Sequence, residues 1–359
     1  MLKQQKIFFD FLRFCIGSAK EIPGSLKEAD WKELYAIAKK QCLVGVLFDG
    51  IKKLPAEHVG MKKELLLQWM AESQMLEKAN VRLNDAAIQV SEWFRKKGFR
   101  TCILKGQGNA LMYPNPYSRT PGDIDIWVEG GDKRVISFVR SISPHEKACY
   151  HHIEFPSYKG VEVEVHYRPS FLLCFWHNRK LQKYYERVKE EQFSHRVMLG
   201  EQGEIAIPTA EFNLIFQLTH IFSHLMNEGI GLRQLLDYYY VLISDDLLLI
   251  SDRVQKELKH LGLWKFAQAV MFVMKEVFGL SEDRMIAPMD EREGRFLLDE
   301  IMRGGNFGQY DDRMGSKAGE SKIHRYFRMN LRNLRFVKHY PTEALSEPLF
   351  RMWFAVWKK

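Results

Sequence analysis

The run Val161-Glu-Val-Glu-Val-His166 alternates apolar and polar side chains without a break. Successive side chains of a strand point to opposite faces, so one face carries three valines and the other carries Glu162, Glu164 and His166. Only a β-strand with one buried face satisfies that pattern. Nearby segments share this texture. Arg100-Thr-Cys-Ile-Leu-Lys105 is a short apolar and β-branched run, Gly122 to Val128 is strand-like, and Tyr150 to Phe155 forms a hairpin with 161–166 across a turn at Ser157-Tyr-Lys-Gly160. Sheet content therefore concentrates between about residues 99 and 168, with a short strand expected at Glu204 to Ile207.

The flanks read as helix. Lys62 to Lys97 lacks Gly and Pro and is rich in Leu, Glu, Lys, Ala and Gln, as one long helix or two would be. Past Pro208, with Thr209 as a helix cap, helices are expected over 209–227, 231–244, 249–262, 264–279 and 292–303. The glycine-rich stretch 304–319 reads as a linker, and Lys322 to Lys338 as a basic amphipathic helix with Ile323, Phe327, Leu331 and Leu334 on one stripe. The expected organisation is a helical region at 1–97, an α/β core at 98–207, a helical domain at 208–303, and a linker with basic helices at 304–359.

Asp123 and Asp125 stand two apart in Gly122-Asp-Ile-Asp-Ile-Trp-Val128, so they project together while Ile124 and Ile126 point into the core. Two like charges so close repel, and a divalent cation removes the conflict. If the hairpin strand is a neighbour, Glu164 or Glu162 adds a third carboxylate, with Glu154 a more distant option; hairpin register is open at this level. Upstream, Lys105-Gly106-Gln107-Gly108 joins a strand to a helical stretch, a turn whose backbone N–H groups could receive a phosphate.

Leu104-Lys105-Gly106, Arg119-Thr-Pro-Gly122-Asp-Ile-Asp-Ile126 and Val163-Glu-Val-His-Tyr167 resemble the uncharacterised nucleotidyltransferase family 5, within the DNA-polymerase-β-like nucleotidyltransferase superfamily. Pro208, His220, His224 and Leu232-Arg233-Gln-Leu-Leu-Asp237 resemble its helical part, so that the likeness spans roughly residues 30 to 340. The resemblance implies an α+β fold, a small mixed β-sheet nucleotidyltransferase core flanked by N-terminal and C-terminal helical regions. It also implies metal-dependent transfer of a nucleoside monophosphate. Asp123, Asp125 and Glu164 are then the catalytic candidates, and the same three with Glu162 the metal ligands, for Mg²⁺ or Mn²⁺. Lys105, Gly106, Gln107, Gly108, Arg119 and Arg233 are the candidates for holding the nucleoside triphosphate. One departure is that Gly106 precedes Gln107, where the commonest superfamily pattern has Gly or Ser.

Other signals read as structure. His220 and His224, four apart, lack a third zinc ligand at a suitable spacing; Arg233 and Asp237, also four apart, are expected to pair along a helix. Of a net charge of +8, residues 313–359 contribute 11 basic against 3 acidic groups, and the rest of the chain balances at 42 against 42. That tail is a candidate surface for an anionic partner such as RNA. No stretch is long and apolar enough for a membrane span, and the five scattered cysteines read as reduced thiols, so a cytoplasmic enzyme is expected. A non-catalytic nucleotide-binding or partner-recognition module on the same fold is the alternative.

Overall fold

Thr101–Ile103 (β1), Ile124–Val128 (β2), His152–Tyr158 (β3) and Val161–His166 (β4) pair into one sheet in the order β1-β2-β4-β3. The β2–β4 pair is parallel and the other two are antiparallel, so the sheet is mixed. The computed structural model describes residues 2–201, 203–311, 313 and 322–357. Among these the helices are α1 (Lys3–Ile16), α2 (Trp31–Lys40), α3 (Val44–Ile51), α4 (Lys63–Lys96), α5 (Gln107–Ala110), α6 (Gly131–Ile142) and α7 (Phe175–Ser194). They continue as α8 (Ala210–Asn227), α9 (Leu232–Leu242), α10 (Leu247–His260), α11 (Trp264–Phe278), α12 (Glu291–Gly304), α13 (Lys322–Val337) and α14 (Pro341–Trp357). A second, two-stranded sheet joins β5 (Arg196–Met198) to β6 (Glu204–Ala206). The fold is α+β, a small mixed sheet within a mainly helical chain.

Alternation along β2 explains how the sheet is covered on both sides. Ile124, Ile126 and Val128 pack with Leu83, Val90 and Phe94 of α4 and with Val135 and Val139 of α6. The opposite face carries Asp125 and Trp127, and Trp127 meets Phe193 of α7 and Phe212 of α8 with ring centroids 4.7 and 5.8 Å apart. Asp125 therefore lies on the α8 side of a central strand. Strand β2 starts at Ile124, two residues later than the sequence reading placed it, so Asp123 belongs to the entering segment.

Helix α7 has no counterpart in the sequence reading. It is dense in Lys, Arg, Glu and Gln, its opening Phe175 and Trp176 are exposed, and its buried residues are few, among them Leu181, Tyr184, Tyr185 and Phe193, so it shows little of the apolar periodicity that marks the downstream helices. Those downstream helices match expectation to within about two residues at each end, and the Thr209 hydroxyl accepts from Phe212 N–H at 3.5 Å as a cap. The N-terminal segment forms α1, which buries Ile7, Phe8, Phe11 and Leu12. No described helix is long and apolar enough to cross a membrane.

The basic C-terminal stretch differs from its expected stripe. Leu331 and Leu334 are exposed, while Met329, Arg332, Asn333 and Phe336 are buried; the side chains of Ile323 and Phe327 lie outside the described residues. Arg332 donates to the carbonyls of Leu225, Met226 and Asn227, and Asn333 donates to Met226 O at 2.9 Å, so α13 caps the unpaired last turn of α8. Glu300 receives both Arg313 and Arg335. Much of the local positive charge is thus spent inside the fold. Of the expected linker, Gly304 ends α12 and Asn306–Gly308 form a 3-10 turn, while 312 and 314–319 lie outside the described residues.

Candidate active site

The parallel pairing of β2 with β4 puts Asp125 directly across from Glu164, and Trp127 across from His166. That register leaves Glu162 at the exposed end of β4 and Glu154, across from Glu164 on β3, also exposed. The Leu104 N–H donates to Asp125 O at 3.0 Å, extending the β1–β2 ladder by one step and delivering Lys105 to the same place. Sequence neighbours and a strand register therefore converge on one carboxylate.

Asp125 is 2% exposed and both its oxygens face cations. Lys105 Nζ lies 3.0 Å from Oδ2, and His166 Nε2 lies 2.9 Å from Oδ1. Burial alone would raise the Asp125 carboxyl, but Lys105 and His166 outweigh it and hold it well below the usual carboxylate range. Asp123 moves the other way: the Asp125 charge and its own burial raise it. Burial works against the His166 imidazolium too, yet hydrogen bonds and charge from Asp125 and Glu164 lift it to about 9. The same groups hold Lys105 above its ordinary value in spite of burial. Lys105, Asp123 and Asp125 line a pocket whose other charged walls are Arg119, Arg233 and Asp237, with Glu164 and His166 beside it.

This donor set suits a divalent cation. One ligand atom each from Asp125, Glu164 and His166 falls within 4.8 Å of the others. Asp123 borders the same pocket but is outside that tight group.

The expected nucleotide-binding residues divide. Lys105, Gly106, Arg119 and Arg233 line the pocket with Asp123 and Asp125; Gln107 and Gly108 do not. Gln107 is buried and its amide donates to Asn84 of α4. A Cβ on Gly108 would come 2.9 Å from Ile207 Cγ2, so close packing accounts for that glycine; Gly106, at φ 64°, takes a backbone conformation that glycine favours. Arg119 is 3% exposed and forks onto Asp237, with Nε and Nη2 each 2.8 Å from an oxygen. Tyr113 and Asn109 donate to the same carboxylate. The expected Arg233–Asp237 helix pair is therefore replaced by Arg119–Asp237. Arg233 instead donates to Thr120 O at 3.3 Å, lies over the Phe307 ring, and has no carboxylate within ion-pair distance among the described residues. Its guanidinium Nη1 would stand 3.8 Å from a Cβ on Gly122, facing the entrance to β2.

His220 Nε2 accepts from Lys105 Nζ at 3.2 Å, and burial and then the Lys105 charge hold its imidazole well below the usual range, so the neutral ring acts as acceptor. His224 sits beside Glu228 at 3.3 Å, and neither histidine joins a metal-type group among the described residues. Sequence reasoning gave no role to His151 and His152. His152 Nδ1 is 3.4 Å from Glu164 Oε2 and 3.1 Å from His151 Nε2. A histidine doublet entering a hairpin strand was the available signal.

Residues 27–279 match the family described as an uncharacterised nucleotidyltransferase, which is well over half of the chain. The chain belongs to that family. Among solved structures, an antigenic nucleotidyltransferase-like protein from Paracoccidioides brasiliensis is similar at 14% identity, over 62% of this chain and 98% of that one, with a TM-score of 0.32. No curated protein matches the chain.

Proposed function

We propose that the protein is a metal-dependent nucleotidyltransferase that moves a nucleoside monophosphate from a nucleoside triphosphate to a hydroxyl acceptor. The acceptor is a small molecule, a protein side chain or an RNA end. The observation that carries this reading is the parallel β2–β4 register, which sets Glu164 across from Asp125 with Asp123 at the strand entrance. Family membership supports the same reaction class.

Asp123, Asp125 and Glu164 would hold Mg²⁺ or Mn²⁺, with Glu162, exposed and one pair further out along β4, as the alternative third carboxylate. The bound ions would supply charge neutralisation at the phosphates and a more acidic acceptor hydroxyl. Arg233, with no carboxylate partner among the described residues at the pocket wall, is suited to a triphosphate oxygen by its planar fork. Glu164, half-buried beside His152 and His166, would take the acceptor proton. Lys105 would turn from Asp125 toward the phosphates when a cation takes its place. Arg119 stays on Asp237 and keeps the 116–120 loop against the helices.

A binding-only module is favoured by one observation: Lys105 and His166 already occupy both oxygens of Asp125. The test is calorimetry of triphosphate binding with and without Mg²⁺ or Mn²⁺. Replacing both residues, Asp123→Asn with Asp125→Asn, is expected to abolish the metal-dependent part. Undiminished binding would remove the assignment.

A further inference from the structure

Beyond the carboxylates, the centre is unusually rich in imidazole. His166 Nε2 stands 2.9 Å from Asp125 Oδ1 and 3.4 Å from Glu164 Oε2, and His152 Nδ1 reaches that same Glu164 oxygen at 3.4 Å. Two ring nitrogens on neighbouring strands thus aim at one carboxylate oxygen, because β3 and β4 pair His152 directly with His166. Ligand pairs on one ion bonded at about 2.1 Å lie about 3.0 Å apart along an octahedral edge, so Asp125, Glu164 and His166 stand close to such spacing, while His152, outside their tight group, meets Glu164 and would close in on the ion from β3.

The far side of His166 fits the same role. Its Nδ1 lies 3.4 Å from the Arg168 carbonyl, an acceptor for the Nδ1 proton, so an ion at Nε2 would displace only the proton that Nε2 shares with Asp125 and Glu164. Metal-bound histidines are commonly oriented in this way by a backbone carbonyl on the other nitrogen.

We propose that the ion on the Glu164 side is held by nitrogen as well as oxygen, through Asp125, Glu164, His166 and His152, and that this site prefers a borderline divalent transition ion such as Mn²⁺ over Mg²⁺. The proposal rests on the metal-dependent reading above and sharpens it. Imidazole suits borderline ions, whereas Mg²⁺ prefers oxygen ligands and keeps its waters. His151 Nε2 lies 3.1 Å from that same His152 nitrogen, a contact that would give way when Nδ1 takes the ion.

Pulsed electron paramagnetic resonance of the full chain loaded with Mn²⁺ reads this directly, together with calorimetry of Mn²⁺ and Mg²⁺. Directly bound imidazole gives nitrogen-14 couplings, expected from two rings in the native protein and from one in His152→Ala. Mn²⁺ affinity should exceed that for Mg²⁺ by roughly tenfold or more, and the gap should narrow in His152→Ala. His152 lies at the start of an edge strand, so its removal leaves the β2–β4 core in place, and the native spectrum needs no variant. Bound Mn²⁺ without nitrogen coupling would overturn this inference and leave the carboxylate centre standing. No binding of either ion would overturn both.

Discussion

Arg119 and Asp237 form a deeply buried ion pair beside the site, at 3% and 5% exposure, with Tyr113 and Asn109 completing the carboxylate's shell. Removing one partner of such a pair leaves an uncompensated charge in the interior. Arg119→Ala is expected to cost about 3–5 kcal/mol in chemical denaturation at neutral pH. Burial opposes ionisation of Asp237, but Arg119 outweighs it and holds the carboxyl below its ordinary value. A folded-state pKa lowered in this way contributes stability that is present above the unfolded value of about 3.9 and is lost as the pH falls through the folded one. Asp237→Asn should therefore be less stable near neutrality and show a shallower loss of stability below about pH 4. An unchanged acid limb would mean that the pair does not set it. None of this was legible from spacing. The i,i+4 interval offered Arg233 as the partner, while the true fork closes across 118 positions.

Among elements, the decisive event is the β2–β4 register, since a one-residue slip would turn Glu164 away from Asp125. The alternation of 161–166 revealed the strand and its polar face in advance, including His166. It could not reveal the neighbour, because pairing direction and register depend on tertiary packing. Helix α7 went unseen for a related reason: its buried face is made by contacts with the sheet and α8, not by a strong periodic stripe. The loop between α5 and β2 is pinned from outside by Asn80 of α4, whose amide donates to the carbonyls of Tyr117 and Arg119 at 2.9 and 2.8 Å. Asn80→Ala strands two acceptors and is expected to lower stability by about 1–3 kcal/mol. It should also weaken triphosphate binding, since the loop leads to Asp123. Hydrogen exchange localised to residues 113–122 would check the mechanism, and full protection there would refute it.

At the scale of the whole molecule, the positive charge of residues 313–359 is partly internal. Arg332 caps α8, Arg313 and Arg335 meet Glu300, and Arg351 meets Glu347. The sequence shows the surplus but not where the guanidinium groups point. Binding of single-stranded RNA should therefore weaken by less than about tenfold between 50 and 200 mM salt, against roughly 10³–10⁵ for a protein that neutralises many phosphates. A steep slope would restore the tail as a nucleic-acid surface. The central claim, that Asp123, Asp125 and Glu164 serve nucleotidyl transfer, is tested most directly by incubating the protein with Mn²⁺ or Mg²⁺, a cell extract, and triphosphates labelled separately at the α- and γ-phosphates. The account predicts that α-label moves to an acceptor and γ-label does not, and that Asp125→Asn abolishes the transfer. Movement of γ-label, or of no label with any of the four triphosphates, would contradict it.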